Sequence, residues 1–192
     1  MAALVRPGSR PARLQDVADG FYVIAGELAE FGAQQTSQLS KWRPDACIHL
    51  AWYAEPGQYL HSRLNLSCMA GSLQLINALI DSGCRHLVAA GTCAEYANNT
   101  KPFVETDPTG PETVYAASKL ALCMIGQQLA RRREIGFAWG RIFYLYGPGE
   151  DPRRMIPALT HALLNNQPFP ATSGDQVRDY LHVDDVANAF VT

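Results

Sequence analysis

Tyr115 and Lys119 stand four residues apart in Thr113-Val-Tyr-Ala-Ala-Ser-Lys-Leu-Ala-Leu-Cys123. On a helix, positions i and i+4 share a face, so a phenol and an ammonium can enter one pocket. An ammonium stabilises phenolate, and the spacing therefore predicts a tyrosine able to exchange a proton with an alcohol near neutral pH. With three lysines and eight tyrosines in 192 residues, chance supplies such a spacing about one time in eight. The pair must be supported by the elements that would hold it.

Composition narrows those elements. Hydrophobic residues make up 47% and the formal net charge is −2, a balance that speaks for a soluble globular chain and against a nucleic-acid or membrane-surface partner. Cys47, Cys68, Cys84, Cys93 and Cys123 are odd in number and scattered. They predict free thiols in a reducing compartment, and a cytoplasmic protein. The histidines lack zinc-ligand spacing, so no metal site is expected. No apolar run nears the ~18 residues of a membrane span, and the first residues lack a signal-peptide core.

Five short apolar runs read as strands: Ala2–Val5, Phe21–Ala25, Ala46–Ala51, His86–Ala90 and Phe137–Phe143. They barely alternate, which suits a parallel sheet covered on both faces. Helical periodicity runs from Leu64 to Ser82, closed by Gly83, and from Val114 to Arg133, ending in three arginines that suit a helix C-terminus. A third helix is expected over Met155–Asn165, and Asp184 is expected to cap a last one. Strands alternating with helices predict a doubly wound α/β fold. Residues 1–148 would form its nucleotide-binding part, and 149–192 the start of a substrate lobe.

With the elements placed, several motifs fall in order. They are His49-Leu-Ala-Trp52, Gly91-Thr-Cys-Ala-Glu-Tyr96, Tyr115-Ala-Ala-Ser-Lys119, Arg141-Ile-Phe-Tyr-Leu-Tyr-Gly-Pro148 and Arg178-Asp-Tyr-Leu-His-Val-Asp-Asp-Val-Ala187. Together they resemble the extended short-chain dehydrogenase/reductases, the NAD-dependent epimerase/dehydratase group that modifies nucleotide-linked sugars. The resemblance runs from Leu4 onward and implies a Rossmann-like sheet and an NAD or NADP cofactor. It makes Tyr115 the general acid or base, Lys119 the residue that lowers its pKa and holds the nicotinamide ribose, and Thr92 a second hydrogen-bonding group on the reacting oxygen. Leu50, Ala51 and Trp52 would lie beside the cofactor, with Glu27 and Leu28 near its adenine. Arg178 would hold the substrate diphosphate, with Cys93 and Tyr144 lining the sugar pocket. Arg6, with Arg10, stands where this fold selects its cofactor. An acidic residue there binds a ribose hydroxyl and an arginine a 2′-phosphate, so Arg6 leans toward NADP.

The sequence also departs from that pattern. A Gly-x-x-Gly-x-x-Gly turn is absent, and the first run corresponds to the family's second strand. The chain therefore reads as a fragment, short of its first strand and of the end of the substrate lobe. Either the first and third runs pair directly, or two edges stay open. Cys93 and Ala94 replace the acidic pair of the 4,6-dehydratases, which disfavours dehydration. Trp52 and Tyr144 replace an alanine and an asparagine, which implies a more aromatic sugar pocket. The expected activity is oxidoreduction at C4 of a nucleotide-linked 6-deoxysugar, as in deoxysugar biosynthesis. The alternatives are a nucleotide-sugar 4-epimerase and, from another class, a non-catalytic dinucleotide-binding remnant. The intact enzyme is expected to be a homodimer.

Overall fold

A computed structural model describes residues 1–8, 22–98 and 101–192; Arg10 and Phe21 lie outside the described residues. The chain forms two compact units, Met1–Gly140 and Arg141–Thr192.

In the first unit, Ala2–Val5 (β1) and Tyr22–Ala25 (β2) pair in parallel, with Leu4 opposite Ile24. Ala46–His49 (β3) runs parallel to His86–Thr92 (β4), with Ile48 opposite Val88, and Gly136–Ile142 (β5) lies on the far side of β4. Among the described residues β1 and β3 share no ladder. Of the two outcomes left by the sequence, the open edges are the one observed, and the sheet is divided into β1–β2 and β3–β4–β5. The α/β architecture with parallel strands agrees with the fold class read from the sequence.

Helices carry the two parts. Ala33–Trp42 (α1) was not legible, because Ala-Gln-Gln-Thr-Ser-Gln-Leu-Ser-Lys-Trp has little apolar stripe and buries only Leu39. Leu64–Asp81 (α2) buries Leu75, Ile76 and Leu79 against Leu28, Phe31 and Leu87, each such side chain contributing about 1.5–3 kcal/mol of burial. At its end Gly83, at φ +91°, donates to Ile80 while Cys84 donates to Leu79, a Schellman closure. A Cβ at Gly71 would fall on the Leu28 carbonyl. Only glycine lets α2 lie this close to the turn that follows β2, and that contact ties β1–β2 to the rest.

Val114–Arg133 (α3) has the bounds its periodicity predicted. Thr113 caps it by accepting the Ala116 N–H at 3.1 Å. Its left-handed terminal residue is Glu134, at φ 55°, and Gly136 opens β5 instead.

The second unit holds Tyr144–Tyr146 (β6), Met155–Leu164 (α4), Tyr180–His182 (β7) and Val183–Val191 (α5), with β6 and β7 parallel. The expected cap at Asp184 is corrected to His182. The His182 imidazole accepts the Asp184 N–H at 3.3 Å, which places Asp184 and Asp185 in the first turn, at the positive end of the helix dipole.

Candidate active site

Strand β4 and helix α3 deliver the chemistry. β4 ends at Thr92, and the next three residues, Cys93–Glu95, form a single 3₁₀ turn. Thr92 caps that turn by accepting the Ala94 N–H, while Glu95 reaches back to accept the Thr92 N–H at 2.9 Å. Tyr115 and Lys119 share one face of α3. The Thr92 side chain lies beside the Tyr115 phenol and favours its charged form, so these residues gather outside the carboxyl ends of the strands.

Lys119 is buried. Its ammonium donates to the Ala90 carbonyl at 2.9 Å and sits 4.0 Å over the Trp52 ring. Trp52 is held in turn, its indole N–H donating to Asn65 Oδ1 at 2.8 Å. Asn65, with no exposed surface, donates to the Tyr59 and Ser62 carbonyls. The Tyr59 ring meets Tyr115 edge-on with centroids 4.8 Å apart.

Burial sets the protonation of the centre. It pushes the Tyr115 phenol up to about 12, against the opposing pull of the Thr92 side chain. Burial also draws Lys119 down to about 8, against the charge of Glu95. Desolvation of the phenol thus outweighs the lowering expected from Lys119. His49, at the end of β3, falls to about 4 through burial and the nearby Lys119 charge. Its Nε2 lies 2.8 Å from Ser72 Oγ. Since Ser72 already donates to the Cys68 carbonyl, the imidazole N–H must be the donor to it.

Cys93 follows Thr92 in the turn and is half-buried. Leu50 and Ala51 lie exposed just beyond β3, Arg6 beyond β1, and Glu27 beyond β2. The Leu28 side chain is committed to the core, leaving Glu27 as the exposed group of that pair. In the other unit, Tyr144 and Arg178 do come together, the guanidinium 4.9 Å from the ring centre. Tyr180 packs beside them, 5.6 Å from Tyr144. Sequence reasoning passed over Glu95, Tyr59 and Trp139. For Glu95 a signal existed, since Thr92-Cys-Ala-Glu95 has capping-box spacing.

Lys119, Tyr115 and Trp52 cluster beyond the ends of β3 and β4, with Arg6 and Glu27 exposed beyond the ends of β1 and β2. No described residue contributes a glycine-rich pyrophosphate turn.

The model of the NAD dependent epimerase/dehydratase family matches residues 4–192. The chain belongs to that family. One similar protein is the probable UDP-glucuronate 4-epimerase of Rhizobium meliloti, 27% identical over 184 residues, which cover 90% of this chain and 52% of that protein. The chain spans about half the length of the curated relatives it matches. Among solved structures, MoeE5 in complex with UDP-glucuronic acid and NAD is 27% identical at a TM-score of 0.70, over 89% of this chain and 57% of that one. A UDP-glucose 4-epimerase from Thermotoga maritima shares the fold at a TM-score of 0.72 and 24% identity, over 100% of this chain and 72% of that one. Among the described residues no helix is long and apolar enough to cross a membrane.

Proposed function

We propose that this chain carries the proton-transfer centre of an NAD(P)-dependent oxidoreductase acting at C4 of a nucleotide-linked 6-deoxysugar, in the direction of ketone reduction. The observation that carries this reading is the Tyr115 phenol, held protonated by burial beside Thr92. A phenol in that state is a general acid, and a ketone oxygen gaining a hydride at carbon needs one. A bound reduced nicotinamide would supply that hydride. Thr92 would hydrogen-bond the same oxygen and fix its orientation, while the Lys119 charge would favour the tyrosinate left behind and hold a ribose hydroxyl. Arg178 and Tyr144 would take the diphosphate and the sugar, a guanidinium being suited to bidentate phosphate binding. Arg6, exposed at the end of β1, supports NADPH as the donor. The exposed Leu64 and Leu66 on α2, with Met124 and Ile125 on α3, support a homodimer.

A 4-epimerase is the second reading, favoured by the relatives named above, and it would use the same three residues with a retained cofactor. The deciding assay offers NADPH and NADH with a panel of 4-keto nucleotide sugars. It uses the chain alone and the chain extended by a first βα unit bearing the glycine turn. Net cofactor oxidation supports the reductase, and C4 interconversion without oxidation supports the epimerase. Cofactor bound with neither reaction sinks both.

A further inference from the structure

Glu95 has no exposed surface, yet it is a carboxylate beside the proton-transfer centre. Its Oε1 accepts from the Thr92 main-chain N–H at 2.9 Å, and both of its oxygens accept from the Trp139 indole N–H at 3.1 Å. The backbone leaves room for it: a Cβ at Gly91 would come 2.7 Å from Glu95 Oε1 and strike the Trp139 indole. A capping role alone needs only an acceptor oxygen. A glutamine would still accept from the Thr92 and Trp139 N–H groups through one oxygen, losing only the second arm of the Trp139 bond and sparing the desolvation of a buried charge, so the carboxylate calls for a further reason.

That reason lies on α3. Glu95 accepts from Thr92 and Lys119 donates to Ala90, two residues apart at the end of β4, and a carboxylate so placed opposes both proton loss from Lys119 and phenolate formation at Tyr115. The other groups that bear on the pair are Cys93 in the turn, Tyr59 before α2, Cys68 on α2 and His49 on β3.

We propose that Glu95 is a positioning residue of the proton-transfer centre, fixing the Thr92 main chain through its hydrogen bond and setting a carboxyl group at the end of β4, where Lys119 bonds Ala90. This rests on the reading of Thr92, Tyr115 and Lys119 given above, but its test needs no substrate. The chain has only three lysines, Lys41, Lys101 and Lys119. Lysine labelled with ¹³C at Cε therefore gives three resonances to follow through a pH titration, with Lys119→Arg assigning the one that matters. The wild-type Lys119 resonance titrates near 8.

In Glu95→Gln, which keeps the hydrogen bonds accepted by Oε1 and removes the charge, the Lys119 midpoint falls by about one pH unit. In Glu95→Asp, which keeps the charge and shortens its reach, it stays near the wild-type value. Glu95→Met replaces the glutamine variant if that does not fold. An unchanged midpoint in a folded charge-free variant, or an equal fall in the aspartate variant, overturns the proposal. Should the chain turn over no nucleotide sugar, the lysine titration still reports, so failure of the functional reading and failure of this one are told apart.

Discussion

The two units hold their candidate functional residues in opposite ways. In Met1–Gly140, Thr92, Lys119, Asn65 and Glu95 are buried, and every one has a polar partner given by the geometry. In Arg141–Thr192, Arg178 is exposed. Its guanidinium bonds Gln176, two residues away, and lies over one tyrosine ring, on a ladder of two three-residue strands. The difference follows from what each group is asked to do. Disfavouring the charged form of a side chain by two powers of ten or more calls for removal from water, which a packed interior supplies. Gripping a charged ligand requires reach, and an exposed arginine keeps it until the ligand itself excludes water.

If that contrast is right, the largest effect of any single change falls on the buried phenol. Tyr115→Phe removes the proton and little volume. Turnover of the 4-keto sugar should fall by about 10²–10⁴-fold, with the melting temperature nearly unchanged, as read by steady-state kinetics beside thermal unfolding. A fall in stability matching the fall in rate would mean that Tyr115 is a packing residue, and the contrast would lose its first side.

A second test uses acid. His49 is 5% exposed and its folded-state pKa is about 4 rather than the ordinary 6.5. The unfolded chain binds the proton more readily, so stability is full above pH 6.5 and is lost as pH falls toward 4. The loss should approach ~3 kcal/mol, from 1.36 kcal/mol per pH unit of difference. His49→Gln, whose amide can still donate to Ser72, should flatten the dependence of unfolding free energy on pH across that window. A wild-type curve already flat there would show His49 to be accessible to water, and the first unit less dry than described.

The sequence foretold the parts of the site that are bound to chain-local signals. The Tyr115/Lys119 spacing needs only helix geometry, the helical period from Val114 to Arg133 marks the extent of α3, and Gly83 marks where α2 stops. Helix α1 escaped because tertiary contact, through Leu39 alone, outweighs its weak periodicity. The α5 cap was placed two residues late because an aspartate is the commoner cap, whereas here the His182 imidazole supplies the acceptor. Lys119 was expected to serve Tyr115, and its actual partners come from other elements, Ala90 in β4 and Trp52 beyond β3. Nothing in local spacing states that Asn65 will aim the Trp52 indole, since that bond joins residues 13 apart. The division of the sheet is of the same non-local kind: local reading left open whether β1 and β3 would join.

A smaller effect is expected on the exposed side of the comparison. Arg178→Ala should raise KM for a nucleotide-diphosphate sugar by about tenfold, one charge-assisted hydrogen bond being worth about 1.5–3 kcal/mol, with kcat little changed. Unfolding should not register the change, because the side chain is solvated before substrate arrives. A drop in kcat equal to the rise in KM would place Arg178 in the transition state and not in the grip.

The smallest effect tests whether ion pairs of the second unit matter at all. Asp151 accepts from the Arg153 side chain and main-chain N–H, and these bonds hold its carboxyl down to about 2. The shift is large, but the pair sits at the surface between residues two apart in one loop, where salt and water screen the attraction and ordering two side chains costs entropy. A low carboxyl pKa is stability present above the unfolded value and lost only as pH falls toward 2, far below neutrality. Asp151→Asn should therefore leave the melting temperature at pH 7 and physiological salt unchanged within error. The ¹³C carboxyl titration of the wild type should nevertheless show a midpoint near 2. A measurable loss of stability would mean that this loop is held by more than its own two residues, and that the second unit owes its form to charge where the first owes it to burial.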